Sequence, residues 1–282
     1  MPQELPIRRV TSTPSTLGEG PLWDGERQSL LAIDVVGRRL LRSGANLSSW
    51  STVPLAHTPG SFVRRADGGF LMAYRRSLAL ANSAMSDFED IRILNVDFAT
   101  EVFNDGKCDR RGRFWIGTMD REVKAPVGSL YRLDTDRSLH RMQSGFTLSN
   151  GIAWSPDDSI MYHCDSRPGT IWAHDYDIDR GTIRNRRVFV DYARRLGAPD
   201  GCTVDSEGGL WVAEVGAGQV VRFDPSGRES TRFKLPVSKP TSIALGGMTL
   251  KTLFVTSMRY RMEPEQIAVE PFGLGAQFVA VD

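Results

Sequence analysis

Residues 109–120 read DRRGRFWIGTMD, a tight turn followed directly by an apolar strand. The same turn-plus-strand unit begins again at Asp24, Asp67, Asp157, Asp205 and Gly247. Six units in 282 residues average 47 residues each, and such a period is typical of propeller blades with four strands. The sequence therefore predicts an all-β, six-bladed β-propeller with four-stranded blades around a central channel.

The chain is predicted to form one domain that spans residues 1–282. Long amphipathic helical patterns are missing, and the best helical candidate is the short segment 262–267. Closing a ring of blades removes exposed sheet edges. We therefore expect one end of the chain to supply a strand to a blade built by the other, with residues 7–13 pairing beside residues 277–281.

Composition excludes several classes of protein. Lys and Arg number 35 and Asp and Glu number 34, so there is no basic excess of the kind that nucleic-acid binders show. No segment is apolar enough to span a membrane, and the N-terminal MPQELPIRR lacks the features of a signal peptide. Three widely spaced cysteines, Cys108, Cys164 and Cys202, predict free thiols in a reducing compartment. We therefore expect a cytoplasmic protein that binds neither nucleic acid nor membrane.

Four units carry an oxygen-bearing side chain at nearly the same distance before the turn. These residues are Glu19, Asn104, Asn150 and Asp200, and the corresponding places in the other two units fall at Phe62 and Ser242. Carboxylate and amide oxygens that converge on one axis form a site that hard divalent cations prefer. The alternative is that Asn and Asp before glycine simply form turns. Because four such residues occur at nearly the same position relative to the turn, the metal site is favoured over simple turn formation.

Several strings resemble the senescence marker protein/gluconolactonase/luciferin-regenerating-enzyme family. They are LGEGPLWD (17–24), NDGKCDRRGRFWIGTMD (104–120), SNGIAWSPDD (149–158), PDGCTVDSEGGLWVA (199–213) and LGGMTLKTLFVTS (245–257). The resemblance implies a six-bladed propeller whose central channel is a metal channel, with one divalent metal bound by Glu19, Asn150 and Asp200. It also implies that Asn104 contacts the substrate and that the protein hydrolyses sugar lactones to aldonic acids.

The chemistry of the residues agrees with that implication. A lactone is an activated cyclic ester, and a metal can polarise its carbonyl and lower the pKa of bound water. Asp200 is the candidate catalytic base, although metal hydroxide alone is an alternative. Ca²⁺ is the favoured metal, and Zn²⁺, Mg²⁺, Mn²⁺ or Fe²⁺ would suit similar oxygen ligands. Asp105 either orients the neighbouring amide and loops or forms a turn before Gly106.

Substrate specificity is expected to depend on residues around this site. Sugar-lactonase relatives often carry an arginine where this chain has Val102, so a less hydroxylated or differently substituted lactone is expected. Glu122 matches a family glutamate that contacts substrate, with a solvated loop charge as the alternative. Four further residues could face the channel mouth, although a surface or structural role is favoured for each: His57, Tyr74, Arg75 and Arg259. Among these, Arg75 or Arg259 could bind a substrate anion.

Other functions remain open on the sequence alone. The chain could be a non-catalytic calcium-binding regulatory protein of the regucalcin type, or a metal-dependent esterase or organophosphate hydrolase. A propeller that serves only as a protein-interaction platform is disfavoured, because unfilled carboxylates at one end of a channel would repel each other. No coiled-coil heptad or long apolar stripe is present, so a monomer or loose dimer is expected.

Overall fold

The computed structural model describes residues 7–11, 15–47, 49–270 and 278–281. Almost all regular structure within them is β-strand. The exceptions are a 3-10 helix at Ala45–Leu47 and a short α-helix, α1 (Pro264–Ala268), close to the segment in which the sequence predicts helix. No helix in the described ranges is long and apolar enough to cross a membrane.

The strands form four-stranded antiparallel sheets. The first strand, β1 (Ile7–Arg9), is separate from the sheet that follows it in sequence. Blade 1 contains β2 (Gly18–Asp24), β3 (Ser29–Asp34), β4 (Arg39–Ser43) and β5 (Trp50–Pro54). Blade 2 contains β6 (Pro59–Arg64), β7 (Phe70–Tyr74), β8 (Ser77–Ala81) and β9 (Phe88–Ile91).

Three further blades follow the same sequential order. Blade 3 contains β10 (Glu101–Cys108), β11 (Phe114–Asp120), β12 (Gly128–Leu133) and β13 (Leu139–Phe146). Blade 4 contains β14 (Ser149–Trp154), β15 (Ile160–Asp165), β16 (Thr170–Asp177) and β17 (Thr182–Asp191). Blade 5 contains β18 (Ala198–Val204), β19 (Leu210–Val215), β20 (Gln219–Phe223) and β21 (Glu229–Lys234).

The remaining sheet combines both ends of the chain. It contains β22 (Pro240–Gly246), β23 (Thr252–Ser257), β24 (Phe278–Val281) and β1, in the order β22, β23, β24, β1. Ile7 pairs with Ala280 and Arg9 with Phe278. The predicted pairing of the two chain ends is therefore confirmed, although Ser12, Thr13 and Gln277 lie outside the described residues. We call this four-stranded sheet the closing sheet.

The predicted count of six blades needs a correction. Consecutive strands complete five blades, whereas the closing sheet is assembled from two consecutive strands and one strand from each end of the chain. The reason is that the unit beginning near Gly247 contributes only β22 and β23 in sequence. A two-stranded sheet is marginal in water, so the chain ends complete it.

The sheets fall into two compact units. Unit 1 comprises the described parts of Met1–Ala56, Leu196–Asp205 and Gly209–Asp282, and unit 2 comprises His57–Arg195 and Ser206–Gly208. In unit 1, β22 packs against β2 on one side and against β18 and β19 on the other. In unit 2, β10 packs between β6 and β14. A single domain over residues 1–282, with a central metal channel, stays a prediction.

The core of unit 2 explains why residues 114–116 are apolar without alternation. Phe114 and Ile116 pack into a cluster with blade 2 residues, whereas Trp115 packs into a cluster with blade 4 residues. All three side chains are buried, because successive residues of a strand point to opposite faces and blade 3 is covered on both. Burying each one contributes about 1.5–3 kcal/mol.

A buried aspartate ties the turn of residues 109–113 to the neighbouring blade. Asp109 Oδ1 accepts the backbone N–H groups of Arg111 and Arg113 at 2.9 and 3.0 Å. Its Oδ2 accepts from Arg113 Nε at 2.6 Å, Trp115 Nε1 at 3.1 Å and the Tyr176 hydroxyl of blade 4 at 2.6 Å. Burial alone would raise the pKa of Asp109, but the hydrogen bonds from Tyr176, Arg113 and Trp115 outweigh burial and lower that pKa.

The same arrangement recurs in blade 5. Asp205 accepts the N–H of Gly209 at 2.9 Å, the indole N–H of Trp211 at 2.8 Å and Nε of Arg222 at 2.7 Å. The aspartate that opens the repeated sequence unit therefore satisfies turn N–H groups and holds the tryptophan of the next strand.

We expect Asp109→Ala to lower the free energy of unfolding by about 3–5 kcal/mol, because it leaves the Arg113 charge and the Tyr176 hydroxyl without their buried partner. Urea denaturation followed by circular dichroism measures this loss. Asp87→Ala, at an exposed position of the loop between β8 and β9, is the matched control with little change. Because the folded-state pKa of Asp109 is lowered, its contribution is present above about pH 4 and is lost as pH falls further. A difference between Asp109→Ala and wild type that stays constant down to about pH 2 would contradict this account.

Candidate functional site

The four predicted site residues all lie in the first strand of a blade. Glu19 lies in β2, Asn104 in β10, Asn150 in β14 and Asp200 in β18. Each strand has a one-residue shift in register at that point. The shifts fall between Glu19 and Leu22, Phe103 and Gly106, Ser149 and Ile152, and Pro199 and Cys202. Asn104, Asn150 and Asp200 are the first residues inside their β-bulges. Glu19 is paired with Ile33 and lies directly before the bulge of β2.

A bulge sets two residues of one strand against one residue of its partner and redirects a side chain. The first strands of blade 2 and of the closing sheet are also shifted, between Pro59 and Ser61 and between Pro240 and Ser242. The residues left unpaired there are Gly60 and Thr241. The sequence spacing places the corresponding positions at Phe62 and Ser242. Phe62 lies two residues after the unpaired Gly60, and Ser242 lies one residue after the unpaired Thr241.

Glycine allows the first strands of blades 2 and 3 to approach closely. A Cβ added to Gly60 would lie 2.7 Å from the carbonyl oxygen of Asn104. A Cβ added to Gly117, which lies opposite the bulge of β10, would overlap Ser149 Oγ of blade 4. Any larger residue at either position would push the blades apart at the height of Asn104 and Asn150.

Unit 2 brings two of the predicted residues together. Asn104 Nδ2 donates to the carbonyl oxygen of Ser149 at 2.8 Å and to Asn150 Oδ1 at 2.6 Å. Asn150 is 6% exposed, and its Nδ2 donates to Ser166 Oγ at 2.7 Å. On the opposite side, Arg75 Nη1 donates to Asn104 Oδ1 at 3.0 Å. We call this hydrogen-bonded series, Arg75 to Asn104 to Asn150 to Ser166, the amide chain.

Glu19 and Asp200 lie in unit 1, on strands that both pack against β22. The Thr241 hydroxyl of β22 donates to the Gly18 carbonyl oxygen beside Glu19. A Cβ on Gly201, beside Asp200, would overlap Ser242 Oγ of the same strand. The strand segments that carry the two carboxylates therefore both contact one intervening strand.

No group of three or more His, Cys, Asp or Glu side chains suited to a metal ion occurs in the described part of the chain. The predicted ligand set differs from such a group, because it combines two carboxylates of unit 1 with an amide of unit 2. The predicted ligand atoms suit a hard divalent cation, since all of them are oxygen atoms. A carbonyl oxygen has two lone pairs, so Asn150 Oδ1 can accept from Asn104 and still ligate a cation. Binding of a metal by Glu19, Asn150 and Asp200 stays a prediction.

The remaining predicted residues show different surroundings. Asp105 is partly buried and accepts the N–H of Gly106 at 2.8 Å, and burial raises the pKa of its carboxyl to about 6. Val102 is 8% exposed. Glu122 is exposed, and its carboxylate lies 2.8 Å from Lys124 Nζ. The roles predicted for these residues in substrate binding and amide orientation stay predictions.

The Glu122 loop is organised by the last residue of β11. Asp120 accepts the backbone N–H groups of Glu122, Lys124 and Ala125 at 3.2, 2.7 and 2.8 Å. These hydrogen bonds hold the pKa of Asp120 below its ordinary value. The loop therefore has a defined backbone while the Glu122 side chain stays in contact with solvent.

A buried serine and histidine lie directly behind Asn150. Ser149 Oγ and His163 Nε2 are 2.6 Å apart, and both side chains are fully buried. Burial lowers the pKa of His163 to about 3, so the imidazole is neutral. His163 Nδ1 has no hydrogen-bond partner within the described ranges. Because a substrate could not reach the Ser149 hydroxyl, the pair supports β14 and does not form a nucleophile.

Sequence patterns do not identify the residue that fixes the Asn104 amide. They favour a surface or structural role for Arg75, with binding of a substrate anion as the alternative, and do not predict that its guanidinium contacts Asn104 from a turn in blade 2. Arg75 of blade 2 thus contacts β10 of blade 3, the strand that carries Val102. No spacing pattern within one blade could have revealed this contact.

Comparisons with known proteins agree with the motifs. A family model described as the SMP-30/gluconolactonase/LRE-like region matches residues 17–259. Regucalcin from Danio rerio is 33% identical over 95% of this chain and 91% of its own length. The 6-deoxy-6-sulfogluconolactonase of Pseudomonas putida is 34% identical over 94% of this chain and 91% of its own length. The crystal structure of a regucalcin from Agrobacterium tumefaciens, described as a calcium-binding protein, has a TM-score of 0.93 and 26% identity, covering 98% of this chain and 94% of that one. The chain therefore belongs to the SMP-30/gluconolactonase/LRE-like family.

Proposed function

We propose that this protein hydrolyses a sugar-derived lactone to the open-chain acid with the help of one divalent cation. The observation that carries the proposal is the hydrogen-bonded pair of Asn104 and Asn150 at two first-strand bulges, in a chain of a family that includes a named sugar lactonase. Glu19, Asn150 and Asp200 would hold the cation through oxygen atoms. Ca²⁺ is the favoured ion, with Zn²⁺, Mg²⁺, Mn²⁺ and Fe²⁺ as alternatives.

The residues of the chain would divide the reaction among them. When bound, the cation would polarise the lactone carbonyl and lower the pKa of a water molecule. Asp200 would accept a proton from the water molecule while the oxygen of that water forms a bond to the carbonyl carbon of the lactone. The bond between that carbon and the ring oxygen then breaks, and the ring oxygen takes up the proton. One water is consumed, and one hydroxy acid is released.

Asn104 would contribute to substrate binding as a hydrogen-bond acceptor. Both hydrogens of its Nδ2 are already donated, to the Ser149 carbonyl and to Asn150. Its Oδ1 accepts from Arg75 and keeps a second lone pair. A sugar hydroxyl can donate to that lone pair, so Asn104 would select lactones that carry a hydroxyl at the matching position.

A calcium-binding regulatory protein without turnover is the second candidate. It is favoured by the regucalcins among the relatives and by the description of the Agrobacterium tumefaciens protein as calcium-binding. Both candidate functions need the same oxygen ligands, so only a measurement of lactone hydrolysis distinguishes the enzyme from the regulatory protein. Cytoplasmic location and a monomer or loose dimer are parts of the same proposal.

The first test is acid release from a panel of aldono-lactones, followed with a pH indicator. We expect metal-stripped protein to be inactive and one or more divalent cations to restore release above the spontaneous rate. The panel includes a lactone with a sulfonate substituent, because a relative is named for that substrate class. Tight cation binding without release from any lactone would instead support the regulatory protein.

The proposed role of Asp200 predicts a large loss of activity on substitution. Removing a general base costs about 10²–10⁴-fold in rate, so Asp200→Ala should lower kcat by at least about a hundredfold and weaken cation binding as well. Glu229→Gln, at an exposed position of β21 in the same blade, should behave as wild type. Wild-type kcat in the Asp200→Ala variant would remove Asp200 from the mechanism.

The acceptor role of Asn104 can be tested with paired substrates. We expect the wild type to prefer a hydroxylated lactone over an unsubstituted lactone of the same ring size. Asn104→Ala should reduce that preference by about fivefold to tenfold, since one well-placed hydrogen bond contributes about 1–1.5 kcal/mol. The ratio of the two kcat/KM values measures this effect. An unchanged ratio would show that Asn104 does not contact the substrate hydroxyl.

A further inference from the structure

Arg75 lies in a two-residue turn that is held in place by its backbone. Tyr74 and Ser77 pair across the β7–β8 hairpin, and Arg75 and Arg76 connect them. The Arg75 N–H donates to the Thr58 carbonyl oxygen at 2.9 Å, and the Phe103 N–H donates to the Arg75 carbonyl oxygen at 3.0 Å. Replacing the Arg75 side chain therefore leaves the hydrogen bonds that fix the turn intact.

The Arg75 guanidinium reaches the bulge of β10. Its Nη1 lies 3.1 Å from the Phe103 carbonyl oxygen, 3.0 Å from Asn104 Oδ1 and 3.1 Å from Met119 Sδ. A guanidinium has donors and no acceptor. The atom of the Asn104 amide that faces Arg75 must therefore be the oxygen.

The orientation of Asn104 determines the orientation of Asn150. With its oxygen towards Arg75, Asn104 turns Nδ2 towards the Ser149 carbonyl and Asn150 Oδ1. Asn150 in turn directs Nδ2 to the Ser166 hydroxyl. The opposite orientation of Asn104 would set its NH₂ group against the guanidinium and its oxygen against two acceptors. Such unpaired groups in a partly buried site are strongly unfavourable.

We propose that Arg75 is a positioning residue that fixes the direction of the amide chain, so that Asn104 offers its carbonyl oxygen to substrate and Asn150 keeps its own carbonyl oxygen available as a ligand. The role of the two amides in catalysis rests on the proposed lactonase function. The orientation of the amides by Arg75 does not, and it can be measured separately. Arg76 is the matched control, since it is the neighbouring turn residue and is exposed.

The orientation is tested by NMR of the side-chain amides in ¹⁵N-labelled protein, with the Asn104 signals assigned through Asn104→Asp. We expect the Asn104 NH₂ signals to shift and to exchange faster with solvent in Arg75→Met. In Arg75→Lys, which retains one donor, they should move part of the way, and in Arg76→Met they should stay as in wild type. Asn104 signals in Arg75→Met that match wild type in position and exchange would overturn the proposal, whether or not the protein hydrolyses lactones.

The kinetic test is a double-mutant cycle on the lactone that wild type hydrolyses best. Arg75→Met should lower kcat/KM by about tenfold, mostly through kcat, with partial rescue in Arg75→Lys. In the Asn104→Ala background, Arg75→Met should have no further effect, because Arg75 acts through Asn104. Losses that multiply would show that Arg75 acts independently and would overturn the proposal. If wild type hydrolyses no lactone, the proposed function fails while the NMR result still decides the role of Arg75.

Discussion

The constraint on which this structure depends is the one-residue bulge in the first strand of every sheet. In a regular strand, side chains alternate strictly between two faces, and both faces of these blades are occupied by neighbouring apolar residues. The bulge interrupts that alternation for one position and redirects a polar side chain without disturbing the apolar residues before and after it. Asn104 lies between the buried Phe103 and the paired Gly106 for this reason.

The two amides at the bulges of blades 3 and 4 are oriented by one group that can only donate and one that can only accept. Arg75 donates and the Ser149 carbonyl accepts, and Asn104 lies between them with one orientation that satisfies both. Its orientation then fixes that of Asn150. An arginine in a turn of blade 2 therefore determines the orientation of an amide in a strand of blade 4, and the buried end of this series carries no charged group.

Two sets of acidic residues in this chain lie in different surroundings. Asp109 and Asp205 open the repeated unit. The carboxylate of each accepts hydrogen bonds from backbone N–H groups of the turn, from a tryptophan indole and from an arginine. Glu19 and Asp200 occur beside or within the bulges of first strands, and metal binding by these two carboxylates is part of the proposed function. The first set stabilises the fold, and the two sets are distinguished by their phase relative to the turn rather than by residue type.

The sequence by itself determined the strands, their four-stranded grouping, the pairing of the two chain ends, the family, and the phase at which polar residues interrupt the first strands. These features depend on local patterns, because turn residues and apolar periodicity act over a few positions. Only the tertiary structure decided that consecutive strands complete five blades, that the bulges of blade 2 and the closing sheet fall at Gly60 and Thr241, and that Arg75 contacts Asn104. Arg75 and Asn104 are 29 positions apart and Asn104 and Asn150 are 46 apart. Contacts between blades depend on how closely neighbouring strands pack, and glycines such as Gly60 and Gly117 set that distance through the side chains they lack.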